Sequence, residues 1–427
     1  MKYKSSAVII FAILLLCMGS YFVPSIKMES SENRTLATFH MVLHPKEDSV
    51  VYHESPVERL DVALSDQFPF REVVVKKYLS LFNASENLTY GVNKLFVKQQ
   101  ENQYVLHTVG NYELIEDTGY ITEYPHTNSL DASIVQKRVE QLDYIHENYP
   151  NMKIYAYYIT QAFEMPWFNS YLGMIVADHY QEIVDAVPDY VKCDHLVYQD
   201  LDDYMDIHYK TDHHWNNRGA KRGYENIYDM MNEDFDLGEM RAPVSENTVS
   251  KTYDFVYLGS YGRALGELYN DGYDTFSFYE YDLPQRRMAV INPDTLEEIE
   301  ATKIGVYDEY QRAEINKDIG TDHYITMYGT ARDKEGNRYD DGSYPFIIRN
   351  SEGNGMNLII SGDSYTRAMR DVLASHFDTT VYLDYRTLSK ISIDYIIKKY
   401  NVDVLLISSH TSMWESEEYL FTFREDE

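Results

Sequence analysis

The sequence predicts an α/β protein: a parallel sheet flanked by helices, with strand-rich insertions and an N-terminal membrane segment. Its C-terminal stretch alternates strictly between short apolar runs and amphipathic segments. The pattern predicts strand over Asn357–Ser361, helix over Thr366–Phe377, strand over Thr380–Leu383, helix over Lys390–Tyr400 and strand over Val402–Ser408. Consecutive strand–helix–strand units build a parallel sheet. Upstream, the amphipathic Asp131–Asn148 (Ile134, Val135, Val139, Leu142, Ile145) leads into the apolar run Lys153–Ile159, one more helix–strand unit. Pro243–Ser351 has another texture, with many tyrosines, short alternating runs and turn signals at Asn292-Pro293 and Asp340-Asp-Gly342.

From the N-terminus, Lys2 and Lys4 precede the uncharged Ser5–Ile26, which Lys27 closes. At about 1.5 Å per residue such a run crosses a bilayer core of about 30 Å. The leading lysines hold the N-terminus inside and send the rest out. Residues 1–27 therefore read as a signal anchor or a signal peptide. The anchor is favoured because the flank lacks a small-x-small cleavage pair, and Leu16 disfavours lipid attachment at Cys17. Residues 28–100 read as a polar spacer, a helical pattern from Pro56 to Asn83 broken at Pro69, and strand-like alternation from Gly91 to Leu106. Residues 101–427 read as the main domain. Within it lie helix-like Tyr171–Ala186 and Gly219–Asn232, and an insertion at about 283–319 that looks the most dispensable part. Asn33, Asn83 and Asn87 open glycosylation sequons, relevant only in a eukaryotic source.

A net charge of −31 repels nucleic acid, and 44% hydrophobic with 25% charged residues is a globular composition. The 41 tyrosines supply flat apolar faces with a hydroxyl, suited to packing and to stacking on sugar rings. Cys193 has no partner in the folded part, since the one other cysteine, Cys17, lies in the N-terminal segment. No internal disulfide and no cysteine-based metal site can form there.

Two distant stretches carry chemistry: Thr211-Asp-His-His-Trp-Asn216 and Ser361-Gly-Asp-Ser-Tyr-Thr366. The second places Ser364 at the tip of a predicted strand. An alkyl hydroxyl attacks an ester only when an imidazole takes its proton and a carboxylate orients that imidazole. Ser364, His214 and Asp212 are the candidates. Two residues apart in an extended segment, Asp212 and His214 leave on the same side, with His213 pointing away as the alternative base. The Asp-His-His cluster is also a metal-ligand pattern, but His208, His323 and His410 are each isolated and no metal is expected. Trp215 reads as a packing anchor behind the loop. For the oxyanion, the N–H of Ser364 or Tyr365 is the natural first donor, and Gly259, Gly262 or Gly329 a second. Arg386, at the end of the next strand, either binds an anionic substrate group or braces the site by an ion pair.

Thr211–Asn216 with Gly219-Ala220 resembles the signature of the DHHW family of bacterial exported proteins. Glu32-Asn-Arg-Thr-Leu-Ala37, Asp66-Gln-Phe-Pro-Phe-Arg71, Tyr257-Leu-Gly-Ser260, Gly362-Asp-Ser-Tyr365 and Asp384-Tyr-Arg386 follow in that family's order. The family is similar in turn to the alginate O-acetyltransferases. The resemblance implies an SGNH-hydrolase-like, flavodoxin-like fold in which the Asp-x-His precedes the Ser, matched here by Asp212, His214 and Ser364. The glycine-rich segment before the Ser block is Tyr328-Gly-Thr330, without the asparagine such a segment would carry, and no carbohydrate-binding module follows. Direct polymer binding would then fall to the Tyr-rich region or to a partner.

The function expected is an exported serine acyltransferase or esterase, adding or removing O-acetyl groups on a cell-envelope or secreted polysaccharide without a cofactor. Its expected partners are the polysaccharide acceptor, a membrane acyl-donor protein and, through the N-terminal helix, the membrane. The rival expectation is a non-catalytic envelope protein that binds glycan or scaffolds an assembly.

Overall fold

Asp131 starts a helix because its carboxylate accepts the Ser133 N–H at 2.8 Å, which satisfies an end donor of α1 (Ala132–Asn148). The predicted stripe Val135, Val139, Leu142 and Ile145 is the face α1 buries. The chain continues through β1 (Lys153–Tyr158), α2 (His179–Ala186), β2 (Val191–His195), α3 (Leu201–Ile207) and α4 (Asn217–Asn232). An antiparallel ribbon follows, β3 (Pro243–Val249) with β4 (Phe276–Tyr281). Then come β5 (Arg286–Ile291), β6 (Glu298–Ala301), β7 (Phe346–Asn350), β8 (Asn357–Gly362), α5 (Arg367–Ala374), β9 (Thr379–Asp384), α6 (Ile393–Tyr400) and β10 (Val404–Ser409).

The computed structural model describes residues 59, 60, 63, 106–109, 112–115, 118–123, 128–167, 176–249, 257–265, 274–301, 303–305, 324, 328, 330–340 and 342–423. The predicted membrane segment, the spacer and the sequons lie outside them. Among the described residues no helix is long and apolar enough to cross a membrane. The chain divides into two compact units. One is Met1–Gly110, Leu114–Gly119 and Ser260–Gly272; the other is Asn111–Glu113, Tyr120–Gly259 and Tyr273–Glu427. The first includes the strand Leu106–Val109 and the helix Ser260–Leu265. The second holds everything labelled above.

Its main sheet has eight strands in the order β2-β1-β10-β8-β9-β7-β5-β6. The first five are parallel; four of them stand where the sequence predicts strands, and β2 adds a fifth at the edge. The last three are antiparallel, so the sheet is mixed rather than purely parallel. The segment read as a dispensable insertion at 283–319 supplies two of those strands, β5 and β6, and Val290 and Ile291 are fully buried. β5 is paired on both sides and β6 forms the sheet edge; the turn signals around them made both look peripheral.

Strand alternation sends one set of side chains to each face. Tyr155, Tyr157, Leu358, Ile360, Leu406 and Tyr382 pack with Tyr224, Ile227, Met369 and Leu373 of α4 and α5. Ile154, Ala156, Ile359, Leu405 and Leu383 pack with Leu142, Ile183, Ile396 and Ile397 of α1, α2 and α6. β8 lies inside the sheet between β10 and β9, buried at Leu358–Gly362. The turn that follows β8 therefore starts from a strand fixed along both edges.

Candidate active site

β8 runs out at Gly362, and the turn Asp363-Ser364-Tyr365 leads into α5. Thr366 anchors that turn by donating its hydroxyl to the Ser408 carbonyl at 2.9 Å. A Cβ on Gly362 would lie 2.6 Å from Thr366 Oγ1, so the turn closes this tightly only over glycine. The opposing loop is pinned at both ends. Asn216 caps α4 by accepting from Arg218 N at 2.8 Å, and its own N–H donates to the Ile207 carbonyl at 2.8 Å. Trp215, fully buried, donates Nε1–H to the Tyr365 carbonyl at 3.0 Å and so ties the two halves together.

His214 Nε2 lies 2.6 Å from Ser364 Oγ, and His214 Nδ1 lies 2.5 Å from Asp212 Oδ1. The His214 N–H donates to the same Oδ1 at 3.0 Å, and the Tyr257 hydroxyl donates to Oδ2 at 2.8 Å. The carboxylate is thus held in one plane by contacts on both oxygens, which a buried charge requires. Gly259 lets this loop approach: a Cβ there would sit 2.2 Å from Asp212 Cβ. Thr211 supports the loop through Asp274, which accepts from Thr211 Oγ1 at 2.6 Å and Thr211 N at 2.8 Å. Tyr324 stacks on the imidazole, its ring centroid 3.8 Å away at 8°.

Burial pushes the His214 pKa below its ordinary value, against the opposing pull of Asp212. The ring is therefore neutral, able to accept a proton, at ordinary pH. Asp363 is pushed up by burial, with His410 as the chief opposing charge.

The structure brings Ser364, His214 and Asp212 together and arranges the other candidates differently. His213 does not point away: the loop bends rather than extends, and His213 Nδ1 lies 3.3 Å from Asp212 Oδ1 with its ring 3.8 Å from His214. Burial pushes it down to about 3. Tyr365 is not a spare oxyanion donor, because its N–H donates to Asp363 Oδ1 at 3.0 Å and its hydroxyl to the His213 carbonyl at 2.8 Å. Gly259 is not one either, its N–H donating to Thr211 Oγ1 at 2.8 Å. The Ser364 N–H has no acceptor among the described residues and keeps the role open to it. Gly329 lies outside those residues, and Gly262 lies in the other unit. Arg386 is a brace: Nε and Nη2 reach the two oxygens of Asp384 at 2.7 and 2.9 Å. Asp384 also takes Arg367 Nη2 at 2.7 Å, and despite burial the two guanidiniums hold its carboxyl below the usual range.

Asp212, His213 and His214 each bring one atom able to ligate a metal within 4.8 Å of the others, the alternative left open by the sequence. Both ring nitrogens of His214 are already engaged, by Asp212 and by Ser364. Sequence reading missed Tyr257, Tyr324, Asp274 and Asp363. Tyr257 and Asp363 stood inside quoted motifs without a role, whereas Tyr324 and Asp274 carried no local signal.

No family model and no curated protein matches the chain. Solved structures do. A DHHW family protein from Eubacterium siraeum aligns at TM-score 0.53 and 16% identity, over 75% of this chain and 99% of that one. Bacillus cereus PatB1 aligns at TM-score 0.52 and 15% identity, over 75% of this chain and all of that one. The same protein with a sulfonyl adduct aligns at TM-score 0.50 and 16% identity, over 75% and 99% of the two chains. The resemblance to a DHHW family protein read from the motifs therefore holds in fold.

Proposed function

We propose that the protein is an extracytoplasmic serine acyltransferase or esterase, acting on O-acetyl groups of a cell-envelope or secreted polysaccharide. One observation carries this reading: the continuous hydrogen-bonded chain Ser364 Oγ–His214 Nε2, His214 Nδ1–Asp212 Oδ1, at 2.6 and 2.5 Å. His214 Nε2 takes the Ser364 proton as Oγ bonds to the acyl carbon, and Asp212 holds the ring and stabilises the imidazolium. The Ser364 N–H faces the negative charge that grows on the carbonyl oxygen. Collapse breaks the bond to the departing oxygen, which receives its proton from His214, leaving an acyl ester on Ser364. Water or a sugar hydroxyl then gives a proton to His214, bonds to the acyl carbon and frees Ser364. The sulfonyl adduct of Bacillus cereus PatB1 supports the reading, since sulfonyl groups capture nucleophiles. The acetyl and polysaccharide assignments rest on the motif resemblance.

The test is turnover of a chromogenic acetyl ester. Ser364→Ala and His214→Ala should each lower it at least about a thousandfold. Activity retained in either variant overturns the reading. The non-catalytic glycan-binding alternative is favoured by one fact: the N–H groups of Tyr365 and Gly259 are both taken. Under it the unsubstituted chain turns over no ester at all.

A further inference from the structure

Acyl transfer to Ser364 builds negative charge on the carbonyl oxygen, and hydrogen-bond donors aimed at that oxygen stabilise it. The Ser364 N–H is one. Those of Tyr365 and Gly259 are already engaged by Asp363 and Thr211, so a second donor must come from elsewhere. Strand register shows where. β8 and β10 run parallel, with Ser361 opposite Ile407 and Gly362 opposite Ser408. Two residues beyond that last pair, Ser364 follows one strand and His410 the other. Both stand at the carboxyl ends of parallel strands, where open α/β sheets bind their ligands. One carboxylate ties the two turns together: Asp363 accepts the Tyr365 N–H at 3.0 Å and the His410 N–H at 3.0 Å.

The His410 ring is set up to donate. The Ser412 N–H donates to its Nδ1 at 3.3 Å, and the Thr411 hydroxyl faces the same nitrogen at 3.4 Å. These partners assign the tautomer: Nδ1 accepts, and the proton of the neutral ring sits on Nε2. Nε2 has no hydrogen-bond acceptor among the described residues, since the Asp363 carboxylate at 3.8 Å lies beyond hydrogen-bond length. The side chain is 26% exposed, and the Tyr365 ring stands edge-on to it at 5.6 Å. His410 is also close enough for its charge to oppose a charge on His214. His208 differs on each count: it is buried, with one nitrogen on Tyr198 and the other on the His213 carbonyl. We propose that His410 is a further catalytic residue, its Nε2–H donating to the acyl oxygen beside the Ser364 N–H. The inference rests on the acyl-transfer reading and supplies the second donor that reading needs. His410 keeps its proton throughout; the Ser364 proton goes to His214 as Oγ bonds to the acyl carbon.

The test is the rate of Ser364 acetylation in the full chain in detergent, followed by chromophore release from a chromogenic acetyl ester and by intact mass. His410→Phe keeps a ring and removes its N–H; His410→Gln keeps a donor near the place of Nε2. Both keep the backbone N–H that holds Asp363. His410→Phe should lower the acylation rate at saturating ester about a hundredfold, with half-saturation changed less than about threefold. His410→Gln should recover to within about tenfold of the unsubstituted chain. If His410→Phe fails to fold, His410→Ala must show the same loss. A loss of less than about threefold on removing the ring N–H overturns the inference, and so do equal losses in His410→Phe and His410→Gln, which a packing role predicts. An adduct forming on the unsubstituted chain and equally fast on His410→Phe removes His410 and leaves acyl transfer standing. No adduct on the unsubstituted chain removes acyl transfer and this inference with it.

Discussion

Asp212 is held from both sides, by His214 on Oδ1 and Tyr257 on Oδ2, and that arrangement gives Tyr257 a role of its own as a positioning residue. Tyr257→Phe should lower acetyl-ester turnover about tenfold, the value of one hydrogen bond of about 1.4 kcal/mol, with the fold intact by circular dichroism. Unchanged turnover would reduce Tyr257 to packing. The pH profile is fixed by burial of His214. A base must be deprotonated to act, and burial holds the His214 pKa below its ordinary 6.5. kcat/KM on the acetyl ester should therefore rise through an apparent pKa below 6.5 and be lost as pH falls through it. An acid limb above 6.5 would contradict this electrostatic account. At this scale the sequence was informative where chemistry sits in short motifs. Asp212, His214 and Ser364 stood in two quotable stretches, whereas Tyr324 reaches the imidazole from a remote segment with nothing around it to announce a stacking partner.

At the scale of elements, α4 carries the histidine loop and packs it onto the serine turn through Trp215. Gly223 makes that packing possible, since a Cβ there would sit 2.5 Å from the Trp215 ring. Gly223→Ala should destabilise the protein by about 1–3 kcal/mol, read as a lower urea midpoint, because overpacking forces the ring or the helix to move. No change would mean that α4 can shift freely. A second linkage joins α2 to the chain before it. Burial opposes a charge on His179, but Glu164 at 2.7 Å and the Asn128 carbonyl outweigh it and raise the pKa to about 9. A raised folded pKa stabilises fully below the ordinary 6.5, and that stability is lost as pH rises through about 9. Replacing His179 by glutamine should flatten the stability–pH curve between those values; an unaltered slope would rule the linkage out. Helix and strand identities in the C-terminal alternation were legible because each segment has one period. The histidine loop was not, because its bends place His213 beside Asp212 where strict alternation would separate them.

For the whole molecule, four of the five parallel strands were visible in the sequence; β2 and the three antiparallel ones were not. β5 and β6 are short and flanked by turn residues; β6 joins the sheet only through β5, and β5 joins it by long-range pairing with β7 that no local pattern encodes. Ile291→Ala, at a fully buried position of β5, should cost about 2–5 kcal/mol in denaturant unfolding. A negligible cost would restore the view of this stretch as a dispensable insertion. The sheet's larger consequence is to present the turn after its buried β8 against the loop before α4, where Ser364 Oγ meets His214 Nε2 at 2.6 Å. The most direct measurement of what that contact does is the intact mass of the chain after brief exposure to a chromogenic acetyl ester, beside Ser364→Ala. The account predicts one acetyl group on the unsubstituted chain and none on the variant. An adduct present on both, or absent from both with no ester turnover, would contradict it.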